Sequence, residues 1–319
     1  MGMPKTLLEA VTYFTNPVNC RKYMVSLRWP DGVKCPQCGS ESVYWDESRN
    51  GWECKTRHPK RKFTLKTGTI FEDSPLGLDK WLPCVWLIAN AKNGVSSHEI
   101  ARSIGVTQKT AWFMLQRIRL AMQADESNGG GGKLGGDVEV DETYIGGKAR
   151  NMHADRRERA MSGRWYGKTV VMGLLERNTE GRSRIRTKVV PNARRSQLVP
   201  VIKENVELGS NLYTDAHGAY TSLNHMFAHQ FIDHAQTYVR ENVHTNGLEN
   251  YWSLLKRSLA GTYVAVEPFH LFRYLDEQAF RFNNRDWTDA GRFAAVIRAI
   301  VGKRLTYEQV TGAVDAATV

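Results

Sequence analysis

The chain has 319 residues, 41% hydrophobic and 24% charged, with a formal net charge of +11. Those proportions describe a soluble globular protein with room for two or three domains, and they exclude a disordered chain. No stretch approaches the roughly 20 apolar residues that span a bilayer, and "MGMPKTLLEAVTYFTNP" lacks a secretion signal, so the protein is expected in the cytoplasm and away from membranes.

The first element with chemistry is "KCPQCGS", which sets Cys35 and Cys38 in a Cys-x2-Cys knuckle around a turn at Pro36 and Gly39. Strand-like "ESVYWDESRNGWE" follows, and then "CKTRHPKRKF" supplies Cys54 and His58. Two ligand pairs at opposite ends of a hairpin read as a zinc ribbon, with Zn²⁺ held by Cys35, Cys38, Cys54 and His58. Cys54 to His58 is the less usual of the two spacings. Cys20 and Cys84 have no partner spacing and read as buried thiols packing as small hydrophobes. An odd cysteine total of five argues against a disulfide framework.

Residues 79–123 predict three helices. Ser96 or Ser97 caps a short one through Arg102, with Glu99 placed for a capping box, and Gly105-Val106 makes a turn. The next helix runs from Thr107 to Met122, with Ala111, Leu115, Ile118 and Met122 inward and Gln108, Lys109, Gln116 and Arg117 outward. That layout is a helix-turn-helix, with a plain helical hairpin as the alternative. Residues 1–124 hold 18 Lys+Arg against 10 Asp+Glu, which favours a DNA partner for this part of the chain.

A Gly-rich linker at 125–136 separates this part from a second, mixed α/β region. "GGDVEVDETYIGG" predicts a strand with Val138 and Val140 inward, ending at Asp141, Glu142 and Thr143. Two strands around a turn at Asn178–Gly181, a helix over 194–209 and a short strand ending at Asp215 come next. "HTNGLENYWSLLKR" (244–257) then puts Leu248, Tyr251, Trp252, Leu255 and Leu259 on one helical stripe and Asn246, Glu249, Asn250, Ser253 and Lys256 on another. This order is compatible with a central sheet of the ribonuclease-H type. Asp141, Asp215 and Glu249 then converge at one sheet edge. Three carboxylates would repel one another unless a hard divalent cation sits among them. Two Mg²⁺ ions about 4 Å apart would serve phosphoryl displacement. Lys256 returns to the Glu249 face and is placed to grip a phosphate. Taken singly, these residues also read as a turn former, a helix cap and a surface ion pair. The basic run 148–203, with 15 Lys+Arg against 4 Asp+Glu, includes Arg156 and Arg157 as candidate DNA contacts.

Together "CPQCGS", the helix-turn-helix, "VEVDETYIGGK", "YTDAHGAY" and "HTNGLENYWSLLKRSLAGTY" resemble the bacterial insertion-sequence transposases of the fifteen-ninety-five family (ISXO type). The resemblance runs from about Cys35 to Asn284. It implies a DDE-type core of ribonuclease-H-like fold that binds double-stranded DNA at inverted repeats and at a target. It also implies cleavage and strand transfer with Mg²⁺, or Mn²⁺ in its place, and a homodimer or higher oligomer on DNA in the bacterial nucleoid. Asp141 and Asp215 fall on the first two catalytic positions. For the third, the family is described with either Asn or Glu. Glu249 is the choice, because its offset to Lys256 matches the Glu-then-Lys arrangement; Asn246 and Asn250 are the alternatives, with His244 and Asn246 expected around the metals or on the DNA. A non-catalytic DNA-binding regulator and a metal-dependent nuclease without strand transfer are the competing functions. The expected domains are 1–70 (helix and ribbon), 71–124 (helix-turn-helix), 125–136 (linker), 137–285 (catalytic α/β) and 286–319 (helical tail).

Overall fold

A computed structural model describes residues 3–123, 131–146, 168–177, 183–215, 220, 223–232 and 244–312. Arg156 and Arg157 lie outside the described residues, as do residues 125–130 of the linker. The chain forms two compact units, one of residues 1–129 with 284–319 and one of residues 130–283. Among the described residues no helix is long and apolar enough to cross a membrane.

In the first unit, α1 (Leu7–Phe14) is started by the Thr6 hydroxyl and α2 (Pro17–Arg28) by the Asn16 amide oxygen, with Pro17 fixing the first helical φ. Strands β1 (Val43–Asp46), β2 (Gly51–Cys54) and β3 (Lys62–Phe63) pair antiparallel in that order. Trp52 gathers Trp29, Trp45 and Phe63 around this small sheet. The three expected helices follow as α3 (Leu78–Asn90), α4 (Ser97–Ile104) and α5 (Gln108–Met122). Ser96 caps α4 by accepting from the Glu99 N–H, Gly105 ends it at φ +64, and Thr107 caps α5.

Two of the four residues expected to face outward from α5 do not. Gln116 is 1% exposed and Arg117 is 5% exposed. The Arg117 guanidinium donates to the carbonyls of Leu305, Ile70 and Glu72, so its charge is satisfied inside the unit and is not offered to DNA. Leu305 and Val310 pack against Leu120, Trp112 and Phe113 of α5. Gln108 and Lys109, in the first turn, are exposed as expected.

The second unit is built on a five-stranded sheet of β4 (Asp137–Ile145), β5 (Thr169–Arg177), β6 (Arg184–Val190), β7 (Asn211–Asp215) and β8 (Ala228–Ile232), in spatial order β6-β5-β4-β7-β8. β6, β5 and β4 form an antiparallel meander, while β7 and β8 run parallel to β4. One face carries Val138, Val140, Met172 and Leu174 against Leu198, Val201 and Ile202 of α6 (Arg195–Asn205). The other carries Val171, Leu175 and Ile185. Against it pack Leu248, Tyr251, Trp252 and Leu255 of α7 (Asn246–Ser258), and Leu271 and Leu275 of α8 (Leu271–Asn283). The apolar stripe read in 244–259 is therefore the buried face of α7. β8 has no counterpart in the sequence reading, and β4 runs on to Ile145, past the expected end at Asp141, Glu142 and Thr143.

The chain then returns to the first unit through α9 (Asp289–Arg298) and α10 (Tyr307–Thr311). Phe293 packs its ring against Phe14, Tyr23 and Trp86. Residues 286–319 are thus not a separate tail; the described part of the segment supplies core to the N-terminal unit.

Candidate functional site

In the first unit the ligand atoms of Cys35, Cys38, Cys54 and His58 all lie within 4.8 Å of one another. Cys38 and Cys54 sulfurs are 3.7 Å apart, and Cys35 Sγ is 3.5 Å from His58 Nε2. Two sulfurs each about 2.3 Å from a tetrahedral centre would stand about 3.8 Å apart, so the group fits Zn²⁺. His58 Nδ1–H donates to the Pro59 carbonyl at 2.6 Å, which turns the Nε2 lone pair toward the thiols. Burial pushes the Cys54 thiol up, but hydrogen bonds from His58, Thr56 and Cys38 outweigh it and bring it down to about 6. Cys20 and Cys84 stand apart from this group, and burial raises their thiols to about 11 and about 12.

The carboxylates of the second unit are placed by strand register. β4 and β7 pair through Asp137↔Asn211, Val138↔Leu212 and Glu139↔Tyr213, and there the described pairing stops. Two residues further on, Asp141 and Asp215 occupy neighbouring strands and share a face, because side chains alternate with period two. The partnership with β7 ends at Glu139, while β4 itself runs on to Ile145. The shared face is the one α7 covers. The Trp252 indole N–H donates to Asp141 Oδ2 at 2.9 Å, and the Glu142 backbone N–H donates to Oδ1 at 2.8 Å.

Burial raises the Asp141 carboxyl to about 6; the Trp252 and Glu142 hydrogen bonds oppose this, and the charges of Asp215 and Glu249 add to it. Asp215 and Glu249 are therefore in electrostatic reach of Asp141. Glu249 sits in the first turn of α7, one turn before Trp252, and Lys256 lies further along the same helix; both are exposed, as are Asn246 and Asn250. His244 is half-buried and accepts from Arg177 at Nδ1, 2.7 Å away.

Glu142 is a fourth carboxylate that the sequence reading left without a role. Burial and the charges of Asp215 and Asp141 raise it to about 8, and its buried Oε1 has no hydrogen-bond partner. Its place next to Asp141 was the only signal available. Carboxylate oxygens are the donors that a hard divalent cation takes, but among the described residues no three of these carboxylates bring their oxygens within 4.8 Å of one another.

The sign of the pH dependence follows. Both carboxyls are raised, so the folded, metal-free unit keeps protons that the unfolded chain has already lost. It loses stability as pH rises from about 4 to 6 through Asp141 and on to about 8 through Glu142. The Asp141 shift alone corresponds to about 3 kcal/mol. Millimolar Mg²⁺ should therefore raise the unfolding temperature more at pH 8 than at pH 5, as read by calorimetry. An equal rise at both values would contradict the arrangement.

Gly173 pairs with Asp141 across β4 and β5. A β-carbon there would lie 2.6 Å from the Trp252 ring and 2.8 Å from Leu248. Gly173→Ala should therefore cost about 1–3 kcal/mol by overpacking, and it should displace the indole that holds Asp141. Chemical denaturation of the variant checks the first effect, and the Trp252 fluorescence environment checks the second.

A family model described as an ISXO2-like transposase domain matches residues 133–283, and one described as a transposase zinc-ribbon domain matches residues 16–56. The chain is 30% identical over 294 residues to an uncharacterized protein in transposable element ISH50 of Halobacterium salinarum, covering 88% of this chain and 95% of that protein. It is also 34% identical over 104 residues to an uncharacterized transposase-like protein of Haemophilus influenzae, covering 32% of this chain and 84% of that protein.

Proposed function

Because the chain belongs to the ISXO2-like transposase family, we propose that it binds the terminal inverted repeats of an insertion sequence and catalyses Mg²⁺-dependent cleavage and strand transfer at its ends. The observation that supports the reading is the register of β4 and β7, which leaves Asp141 and Asp215 each two residues past the last paired rung, on the face covered by the helix that bears Glu249. A meander of three strands followed by two parallel ones, with helices on both faces, supports a ribonuclease-H-like core for this unit.

Asp141, Asp215 and Glu249 would hold the Mg²⁺ ions, with Glu249 preferred to Asn246 and Asn250 because Asp141 feels its charge. When bound, Mg²⁺ supplies charge stabilisation to the attacking and leaving oxygens of an in-line displacement at phosphorus. Trp252 fixes the orientation of Asp141. Lys256, on the exposed side of α7, binds a phosphate of the DNA end and holds the strand over the carboxylates. In the first unit, Zn²⁺ on Cys35, Cys38, Cys54 and His58 would staple the ribbon. The turn between α4 and α5 makes a helix-turn-helix whose reach to DNA is through Gln108 and Lys109 at the start of α5, because Gln116 and Arg117 are buried. Arg156 and Arg157 are retained as candidate contacts to flanking or target DNA, and joining two ends calls for at least a dimer on the DNA.

The test is incubation of the full chain with end-containing DNA, a target plasmid and Mg²⁺. Joined products support the reading. Cleavage without joining would replace it with a nuclease, and binding alone with a DNA-binding regulator.

A further inference from the structure

Glu139 lies two residues before Asp141 on β4, on the same face, and is 1% exposed. A carboxylate so buried needs compensation from charge and hydrogen bonds. Its Oε1 accepts from Arg177 Nε at 2.6 Å, and its Oε2 accepts from the Leu248 backbone N–H at 2.9 Å. Leu248 is in the first turn of α7, where backbone N–H groups have no partner within the helix. The residue that would ordinarily supply one, Thr245, makes no side-chain cap bond. Glu139 therefore caps α7 from the sheet. A β-carbon on Gly247 would fall 2.9 and 3.0 Å from the two Glu139 oxygens, so the first turn of α7 rests directly on the carboxylate. The positive end of the helix favours a negative charge at that place.

Arg177 is fixed in turn. Its guanidinium lies 4.4 Å over the Tyr213 ring, and it donates to His244 Nδ1 at 2.7 Å and to the His244 carbonyl. Each carboxylate of the site is one or two residues from a member of this cluster: Asp141 from Glu139, Asp215 from Tyr213, and Glu249 from Leu248. The cluster sits on the last paired rung of β4 and β7, Glu139↔Tyr213, beyond which those two strands no longer pair.

We propose that Glu139, with Arg177, is a positioning residue that sets the spacing of Asp141, Asp215 and Glu249 by pinning the first turn of α7 to the last paired rung of β4 and β7. The inference rests on the metal-site reading above. Both Glu139 oxygens are occupied, one by the guanidinium and one by the helix amide, so it acts through the helix and not as a ligand.

The experiment is calorimetric titration of the full chain with Mn²⁺, below the unfolding temperature of each variant, together with the Mg²⁺ dependence of strand joining. Glu139→Gln keeps the shape and an acceptor for Leu248 but removes the charge facing Arg177. Gly247→Ala leaves every charge in place and lifts the helix turn off the carboxylate. Both should weaken Mn²⁺ binding about 10- to 100-fold and shift the Mg²⁺ requirement upward by a similar factor, with DNA-end binding unchanged. Wild-type Mn²⁺ affinity in the folded variants would overturn the positioning role and leave the metal site standing. If Glu139→Gln does not fold, Gly247→Ala decides alone. A wild-type chain that binds no Mn²⁺, or an Asp215→Asn chain that binds it as wild type does, would overturn the metal site and the positioning role with it.

Discussion

Asp215→Asn should lower strand joining by about 10³-fold or more, which is roughly 4 kcal/mol of lost transition-state stabilisation. The amide has nearly the same shape and keeps one oxygen, so β7 and its pairing with β8 should survive. What changes is charge: a neutral group offers a divalent cation far less than a carboxylate does. Removing the Asp215 charge also removes one of the contributions that hold the Asp141 and Glu142 carboxyls up, so the metal-free unit should not be destabilised. The expected result is therefore a folded, DNA-binding protein that does not join strands, measured by plasmid integration beside a filter or mobility-shift binding assay. Full joining by this variant would remove Asp215 from the metal set.

The second large effect concerns the ribbon. Removing Zn²⁺ with a chelator, or replacing Cys54 with Ser, should unfold residues around β1–β3, because structural zinc contributes on the order of 10 kcal/mol in small domains. The local structure explains the size of the effect. Two four-residue strands and one of two residues, packed around Trp29, Trp45, Trp52 and Phe63, bury too little to stand unaided. Metal content by mass spectrometry and the near-ultraviolet tryptophan signal should fall together, and recognition of the DNA end should fall with them. His58→Ala addresses the fourth ligand separately. Zinc bound at the wild-type level in that variant would exclude His58, although its Nε2 stands 3.5 Å from Cys35 Sγ.

Much of the site was legible because its signals are local. The Cys-x2-Cys knuckle, the glycine that ends α4 and the apolar stripe of α7 are each written within one or two turns of chain, and spacing alone reads them. The alternation of β4 put Val138 and Val140 on one face, and so put Asp141 on the other. The burial of Gln116 and Arg117 on α5 was not legible for the opposite reason. A helical pattern tells which side a residue is on but not what covers that side, and Arg117 is buried by a carbonyl of Leu305, 188 residues away.

The sequence by itself determined the ligand types, the helices and strands that bear them, and the family to which those motifs point, because these depend on residue identity and short spacing. Only the tertiary structure decided what each carboxylate faces. Glu139 and Asp141 are both acidic positions on one strand, yet one caps a helix 109 residues away and the other faces Trp252, 111 residues away. It also decided that the C-terminal helices belong to the N-terminal unit, since Phe293 has to find Phe14, Tyr23 and Trp86 before that core is filled. Long-range packing selects partners by shape and by the cost of burying charge, and neither is visible in spacing along the chain.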